Sequence, residues 1–226
     1  MHQKYVAVTG ASGTLGRATT TALVKSGYSV IGIDRAAEIS GGEMLTLKIL
    51  KTDLTDSDKS TEAFARIAEQ FGSLHALVNI AGGFAWEEVE SGAVDTWDRL
   101  FQLNVITTLN ASRAALPLLL ANGGAIVNVG AAASTKADAG LGAYAASKSG
   151  VSRLTESLAA ELKDRGVRVN AVLPSIIDTP MNRANMATAK FDRWVTPHAL
   201  ADVICFLISD RARAVTGVLL PVTART

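Results

Sequence analysis

Apolar, β-branched runs alternate with longer amphipathic stretches along the whole chain. YVAVTG, YSVIGID, MLTLKIL and LHALVNIAG show no polar alternation, and TLGRATTTALVKSG and SDKSTEAFARIAEQFG between them have helical spacing. The order resumes with DTWDRLFQLNVITTLNASRAALPLLLANG, AIVNVG, a helix through AYAASKSG, VRVNAVLP, a helix through HALADVICFLISD and a last strand near GVLLPV. A strand apolar on both faces is buried on both, which a parallel sheet covered by helices on each side provides. The pattern predicts a doubly wound α/β fold of about seven strands, one domain over residues 1–226. The two richest irregular segments, STKADAGLG before Tyr144 and PSIIDTPMNRANMATAKFDRW after VRVNAVLP, fall beyond carboxyl ends of strands, where ligands bind in such sheets.

Composition narrows the function classes. Lys and Arg (22) nearly balance Asp and Glu (21) and are scattered, so no basic stripe offers itself to nucleic acid or anionic lipid, and neither partner is expected. No uninterrupted apolar stretch reaches membrane-spanning length and no signal-type leader is visible, which leads to the expectation of a cytoplasmic protein. The single Cys205 lies in the apolar run VICFLIS and is expected to be buried. His2, His75 and His198 are too dispersed for a metal site, and none is expected.

Chemistry concentrates at two places. YVAVTG followed by ASGTLGRATTTALVKSG is a strand, a tight turn and a helix, with glycines at 10, 13 and 16. Such a turn, made here by Gly10, Ser12, Gly13, Thr14, Leu15 and Gly16, lets backbone N–H groups and a helix N-terminus approach a diphosphate. The next strand ends in Asp34, eighteen positions beyond Gly16, where a carboxylate accepts hydrogen bonds from an adenosine ribose and repels a 2′-phosphate. NADH is therefore favoured over NADPH, while the adjacent Arg35 keeps NADPH open or is simply a surface charge. Asp53 and Leu54 either meet an adenine edge, or Asp53 caps the next helix. The second place is a helix on which Tyr144 and Lys148, four positions apart, share a face. An ammonium beside a phenol lowers the phenol pKa from about 10 toward a useful range.

With these residues in line the chain resembles the short-chain dehydrogenase/reductase family over nearly its full length. The matching segments are TGASGTLG, Asp34, Asp53 with Leu54, NIAGG from Asn79 to Gly83, Asn104 in LNV, and Tyr144 with Lys148. The resemblance implies a Rossmann-like fold and an NAD(P)H-dependent oxidoreductase. Tyr144 would exchange the proton, Lys148 would grip the nicotinamide ribose, and Asn104 would hold a water in a relay to Lys148, or merely bond a helix backbone. Asn79, Ala81, Gly82, Pro174 and Ile177 join the cofactor set on the same ground. The resemblance also implies pairing of the helices ending in RAALPLLL and SGVSRLTESLAAEL across a two-fold, giving a homodimer or homotetramer, unless those stripes simply cover the sheet.

Two departures bear on the substrate. Thr14 stands where the family has a glycine, and Ala131, thirteen positions before Tyr144, stands where it has a catalytic serine. Ser134 is the nearest substitute hydroxyl, or a loop cap. The tail from Leu173 to Pro197, with Asp178-Thr179-Pro180-Met181-Asn182-Arg183 at its centre, is similar to that of a branch of the family, quinonoid dihydropteridine reductase. The expected small-molecule substrate is then a quinonoid dihydropterin, electrophilic before any polarisation, with Phe84, Trp86, Ala131, Met181 and Trp194 around it. The alternatives are an alcohol dehydrogenase or carbonyl reductase of unknown substrate, or a non-catalytic dinucleotide sensor.

Overall fold

The computed structural model describes residues 3–226; His2 lies outside them. Seven strands form one parallel sheet in the order β3-β2-β1-β4-β5-β6-β7. They are β1 (Tyr5–Thr9), β2 (Ser29–Ile33), β3 (Leu47–Ile49), β4 (Ala76–Asn79), β5 (Gly124–Val129), β6 (Val167–Pro174) and β7 (Leu219–Val222). The helices are α1 (Thr14–Lys25), α2 (Ser57–Phe71), α3 (Val94–Phe101), α4 (Thr107–Leu120), α5 (Gly142–Leu162), α6 (Pro180–Asn185) and α7 (Pro197–Ile208).

The unbroken apolar strands become a double core because side chains alternate across the sheet. In β1, Val6 and Val8 face the layer that holds Leu23 of α1 and Leu200, Ile204 and Leu207 of α7. Ala7 faces the other layer, with Phe64 and Ile67 of α2, Leu119 of α4 and Leu158 of α5. The leucine stripes of α4 and α5 contribute to this layer, since Leu118, Leu119, Leu158 and Leu162 are buried.

Between α3 and α4 lies a π-helical turn, Gln102–Ile106. With it the helical run Val94–Leu120 is 27 residues, long and apolar enough by length and composition to cross a membrane, although polar and charged residues interrupt it throughout. Its apolar side packs instead on α2, α5 and strands β4 and β5.

Strand order reverses at β1 and β4, which pair with each other while their crossovers diverge to opposite faces. This switch point opens a crevice at the carboxyl ends of the strands. Its far wall is anchored by a buried amide ladder. Asn79 Nδ2 donates to Ser112 Oγ at 3.1 Å and to Asn128 Oδ1 at 2.9 Å, and Asn128 Nδ2 donates to Thr155 Oγ1 at 2.9 Å. Asn79 and Asn128 are register partners in β4 and β5, so the ladder ties two strands to α4 and α5. Asn128→Leu removes the acceptor of one Asn79 N–H and the donor to Thr155 Oγ1 in a dry interior, leaving Asn79 only its bond to Ser112 and Thr155 only its bond to the Val151 carbonyl. It is expected to lower stability by about 2–4 kcal/mol in urea unfolding, against under about 1 kcal/mol if the ladder adds nothing.

Candidate active site

The crevice is a cleft of about 560 Å³, walled by the glycine turn, by Asp34, Arg35, Asp53 and Leu54, and by Ala81, Gly82, Ile177 and Met181. Gly10 takes φ +67°, and a Cβ there would press on the Ala81 backbone at 2.8 Å. A Cβ on Gly16 would collide with the Gly10 carbonyl oxygen, whereas one on Gly13 meets only that oxygen at 3.4 Å. Gly10 and Gly16 are therefore steric requirements. Gly13 caps α1 at φ −68° with no side-chain hydrogen bond, and Thr14 begins the helix without strain. The first amides of α1 face the cleft without a capping group, and an uncapped helix N-terminus in a glycine cradle is shaped for a diphosphate.

Asp34 closes β2 and is 7% exposed. Its Oδ2 accepts the Ser12 amide at 2.8 Å and its Oδ1 the Ala36 amide at 2.9 Å. Arg35 beside it is exposed. Asp53 lines the cleft, yet it caps no helix. Its Oδ1 accepts the Thr55 amide at 3.0 Å and the Thr55 hydroxyl at 2.8 Å, bonds that hold its pKa below the usual value. The residue that caps α2 is Asp56, which accepts from Asp58 and Lys59.

Tyr144 and Lys148 both sit in the first turns of α5. Lys148 rises beneath the cleft floor: Nζ donates to the Val129 carbonyl at 2.9 Å, and a Cβ on Gly82 would stand 3.4 Å from it. Phe84, 53% exposed, meets the Tyr144 ring edge-on with centroids 4.9 Å apart. The expected depression of the phenol does not occur. Burial pushes Tyr144 up to about 12 and pulls Lys148 down to about 8, and the protein atoms alone supply no opposing charge.

Asn104, in the π-turn, is fully buried, and its side chain bonds the loop after β4 and a hydroxyl of α5. Its Oδ1 accepts the Gly83 amide at 2.9 Å, and its Nδ2 donates to the Gly83 carbonyl at 3.1 Å and to Ser147 Oγ at 2.9 Å. Ser147 in turn donates to the Tyr144 carbonyl at 2.7 Å. Sequence reasoning passed over Ser147, though its place three residues beyond Tyr144 puts it on a neighbouring face of the same helical turn.

Several candidates lie elsewhere. Asn79 is engaged in the ladder described above and, like Pro174 at the buried end of β6, does not line the cleft. Trp194 is 5% exposed and packs at a tilt against the Phe191 ring, centroids 4.8 Å apart, which makes it a prop of the segment after β6. Arg183 holds Asp178 through two bonds of 2.6 and 2.8 Å and covers the Phe191 ring at 4.9 Å, bracing α6 and the exposed Met181 over the cleft. Trp86, 57% exposed, donates its indole N–H to the Ala139 carbonyl at 3.1 Å and lies over Gly140, where any Cβ would collide with the ring. It fastens the STKADAGLG loop. Ala131 is buried, and the Ser134 hydroxyl accepts from Ser152 at 3.3 Å. Ser152 is two helical turns along α5 from Tyr144, roughly 12 Å by helix rise, so Ser134 brings no hydroxyl to the phenol.

Comparison with known proteins agrees with this geometry. Residues 4–190 match the sequence model of the short chain dehydrogenases. An uncharacterized NAD-dependent oxidoreductase of Mycobacterium tuberculosis is 30% identical over 98% of this chain and 95% of its own. The 2-(S)-hydroxypropyl-CoM dehydrogenase 3 of Xanthobacter autotrophicus is 33% identical over 96% of this chain and 94% of its own. Carveol dehydrogenase from Mycobacterium avium, solved in complex with NAD, superposes with a TM-score of 0.89 at 26% identity, covering 98% of this chain and 96% of that one.

The Lys148 environment makes a testable demand. Folding lowers its pKa from 10.5 to about 8, so between those values the unfolded chain holds more protons and stability rises with pH. Tyr144, raised by burial, reverses the slope above about pH 10, which leaves roughly pH 8 to 10 as the diagnostic window. Lys148→Met is expected to be more stable than the parent at pH 7 by about 1–3 kcal/mol. That margin should shrink across the window when urea unfolding is repeated in steps of pH. A variant less stable at pH 7 would show that the ammonium is not penalised.

Proposed function

The chain belongs to the short-chain dehydrogenase family, and from that premise we propose that it is an NAD-linked alcohol dehydrogenase or carbonyl reductase acting on a small molecule at the switch-point cleft. The observation that carries this reading is the approach of Lys148 and Asn104 to Gly82 and Gly83, behind the cleft-lining Gly82, with Tyr144 one helical turn before Lys148 and against Phe84. Relatives named for dehydrogenation of a hydroxyl group, such as the hydroxypropyl-CoM enzyme, support the substrate class.

Gly10, Gly13 and the first amides of α1 fit the diphosphate, and the Asp34 carboxylate fits the ribose hydroxyls and opposes a 2′-phosphate. NAD, when bound, supplies hydride-transfer chemistry. The protein's own contribution is to position and to move protons. Tyr144 is protonated at neutral pH, since burial holds its pKa near 12, and it serves as donor toward a developing alkoxide. Lys148, with its pKa near 8, remains cationic at neutral pH and compensates the charge that forms when the phenol gives up its proton. Phe84 limits the approach of the substrate to one side of the Tyr144 ring.

One observation favours a second, narrower reading. Neither Ala131 nor Ser134 brings a hydroxyl to Tyr144, and the side chain shown against the phenol ring, Phe84, is flat and apolar. A quinonoid dihydropterin, conjugated and electrophilic, needs little polarisation and would suit such a site. The two readings separate in one panel. NADH oxidation is followed with short ketones, cyclic ketones and freshly generated quinonoid dihydropterin. The carbonyl reading expects ketone turnover that Tyr144→Phe lowers by about 10²–10⁴. It also expects Ala131→Ser to raise that turnover by about 10–10³, as an added oxyanion donor would. The pterin reading expects turnover of dihydropterin above the spontaneous rate, changed less than about tenfold by Ala131→Ser. Activity on neither class, with NADH bound, leaves a dinucleotide sensor.

A homo-oligomer also belongs to this proposal. The exposed apolar row is Val94, Trp97 and Phe101 on α3, spaced as one helix face, and a second copy is the partner it suits. Trp97→Glu is expected to shift the sedimentation coefficient toward that of a monomer; a parent chain already monomeric at micromolar concentration removes the idea.

A further inference from the structure

The glycine turn is not free-standing. Gly10 N donates to the Ile33 carbonyl at 2.9 Å and Gly13 N to the Gly10 carbonyl at 3.2 Å, which fixes the two ends of the turn. Its crown is fixed by a side chain from the neighbouring strand: the Ser12 amide donates to Asp34 Oδ2 at 2.8 Å. The other oxygen of the same carboxylate takes the Ala36 amide at 2.9 Å, so the group is clamped from both sides and cannot rotate away without leaving a backbone N–H unpaired. Thr14 and Leu15, next along the turn, have amides with no such partner among the described residues.

We propose that Asp34 is a positioning strut of the diphosphate turn in addition to facing the ribose, so that the residue expected to exclude NADPH also shapes the site that binds any dinucleotide. The proposal rests on the reading above that this cleft takes NAD. Its physical core is an acceptor count. A carboxylate offers an acceptor to each of two opposed N–H groups. An asparagine offers one oxygen and one NH2, so Asp34→Asn sets a donor against a donor at either Ser12 or Ala36. A residue serving the ribose alone would behave in the opposite way. Removing its negative charge would relieve repulsion toward phosphate and admit the 2′-phosphate, with Arg35 beside it to assist.

Amide hydrogen exchange on the parent chain, without nucleotide, tests the strut directly. The Ser12 and Ala36 amides should be protected, while Thr14 and Leu15 exchange faster by roughly tenfold or more. In Asp34→Asn, protection should fall at Ser12 or Ala36 while Val30 and Ile31 in the core of β2 keep theirs, which also shows that the variant is folded. Titrations of that variant with NADH, NADPH and inorganic diphosphate supply the functional side. NADH affinity should drop roughly tenfold or more, NADPH affinity should not rise, and diphosphate, which has no ribose, should weaken by a similar factor. The proposal is overturned if Ser12 exchanges as fast as Thr14 in the parent. It is equally overturned if Asp34→Asn gains NADPH affinity with diphosphate binding intact. A parent chain that binds neither dinucleotide would defeat the cofactor reading instead, and the exchange comparison would still decide the strut.

Discussion

The carboxamide of Asn104 joins three elements that the chain delivers separately. By pairing with both the N–H and the C=O of Gly83 it docks the loop after β4 onto the π-turn, and by donating to Ser147 it docks both onto α5. An amide that satisfies a backbone N–H and C=O together acts as one more strand residue would, and in a fully buried position it has no water to fall back on. The floor under Gly82, the approach of Phe84 to Tyr144 and the height of Lys148 all follow from that junction. A regular α-helix through Gln102–Ile106 would hold residue 104 in a different orientation, so the π-turn is the backbone adjustment that makes the junction fit.

Desolvation, more than mutual charge, sets the resting electrostatics of the site. A phenol and an ammonium four residues apart suggest that the cation acidifies the phenol, but both groups lie in a region where burial disfavours their charged forms, and burial acts on each in the opposite sense. The Val129 carbonyl is the hydrogen-bond partner that Lys148 has. The consequence is a site strained in its proton distribution rather than in its backbone. Tyr144 keeps its proton firmly, and Lys148 holds a charge that its surroundings resist. Transfer from the phenol becomes favourable when negative charge develops beside it, which is the condition a reacting carbonyl creates.

The architecture was legible because its signals are local and periodic. Strands without polar alternation require cover on both faces, and the two layers found on the sheet follow from that requirement. The cofactor turn was legible for a steric reason, since Gly10 and Gly16 sit where a Cβ has no room. What sequence could not supply was the direction in which a side chain points. Asn79 lies one residue from the cleft and turns under the sheet to Ser112 and Asn128, and Trp194 follows a loop that lines the cleft yet folds inward onto Phe191. Ser134 is near Tyr144 in sequence, but the 3-10 turn Ala132–Ser134 carries its hydroxyl down α5. Spacing along the chain does not encode such choices; packing among distant elements makes them.

The absence of a hydroxyl at Ala131 is then a matter of geometry as well as composition. Ala131 is extended, buried at the mouth of β5, and followed at once by a tight turn whose amides are spent on Ala131 and Ala132 carbonyls. Within that turn Ser134 N and Thr135 N are both committed to carbonyls and cannot replace the donor. With no side-chain hydroxyl at Ala131, the side-chain donor at this end of the cleft is Tyr144, with Lys148 behind it. The apolar ring of Phe84, held edge-on to the phenol, walls that side of Tyr144.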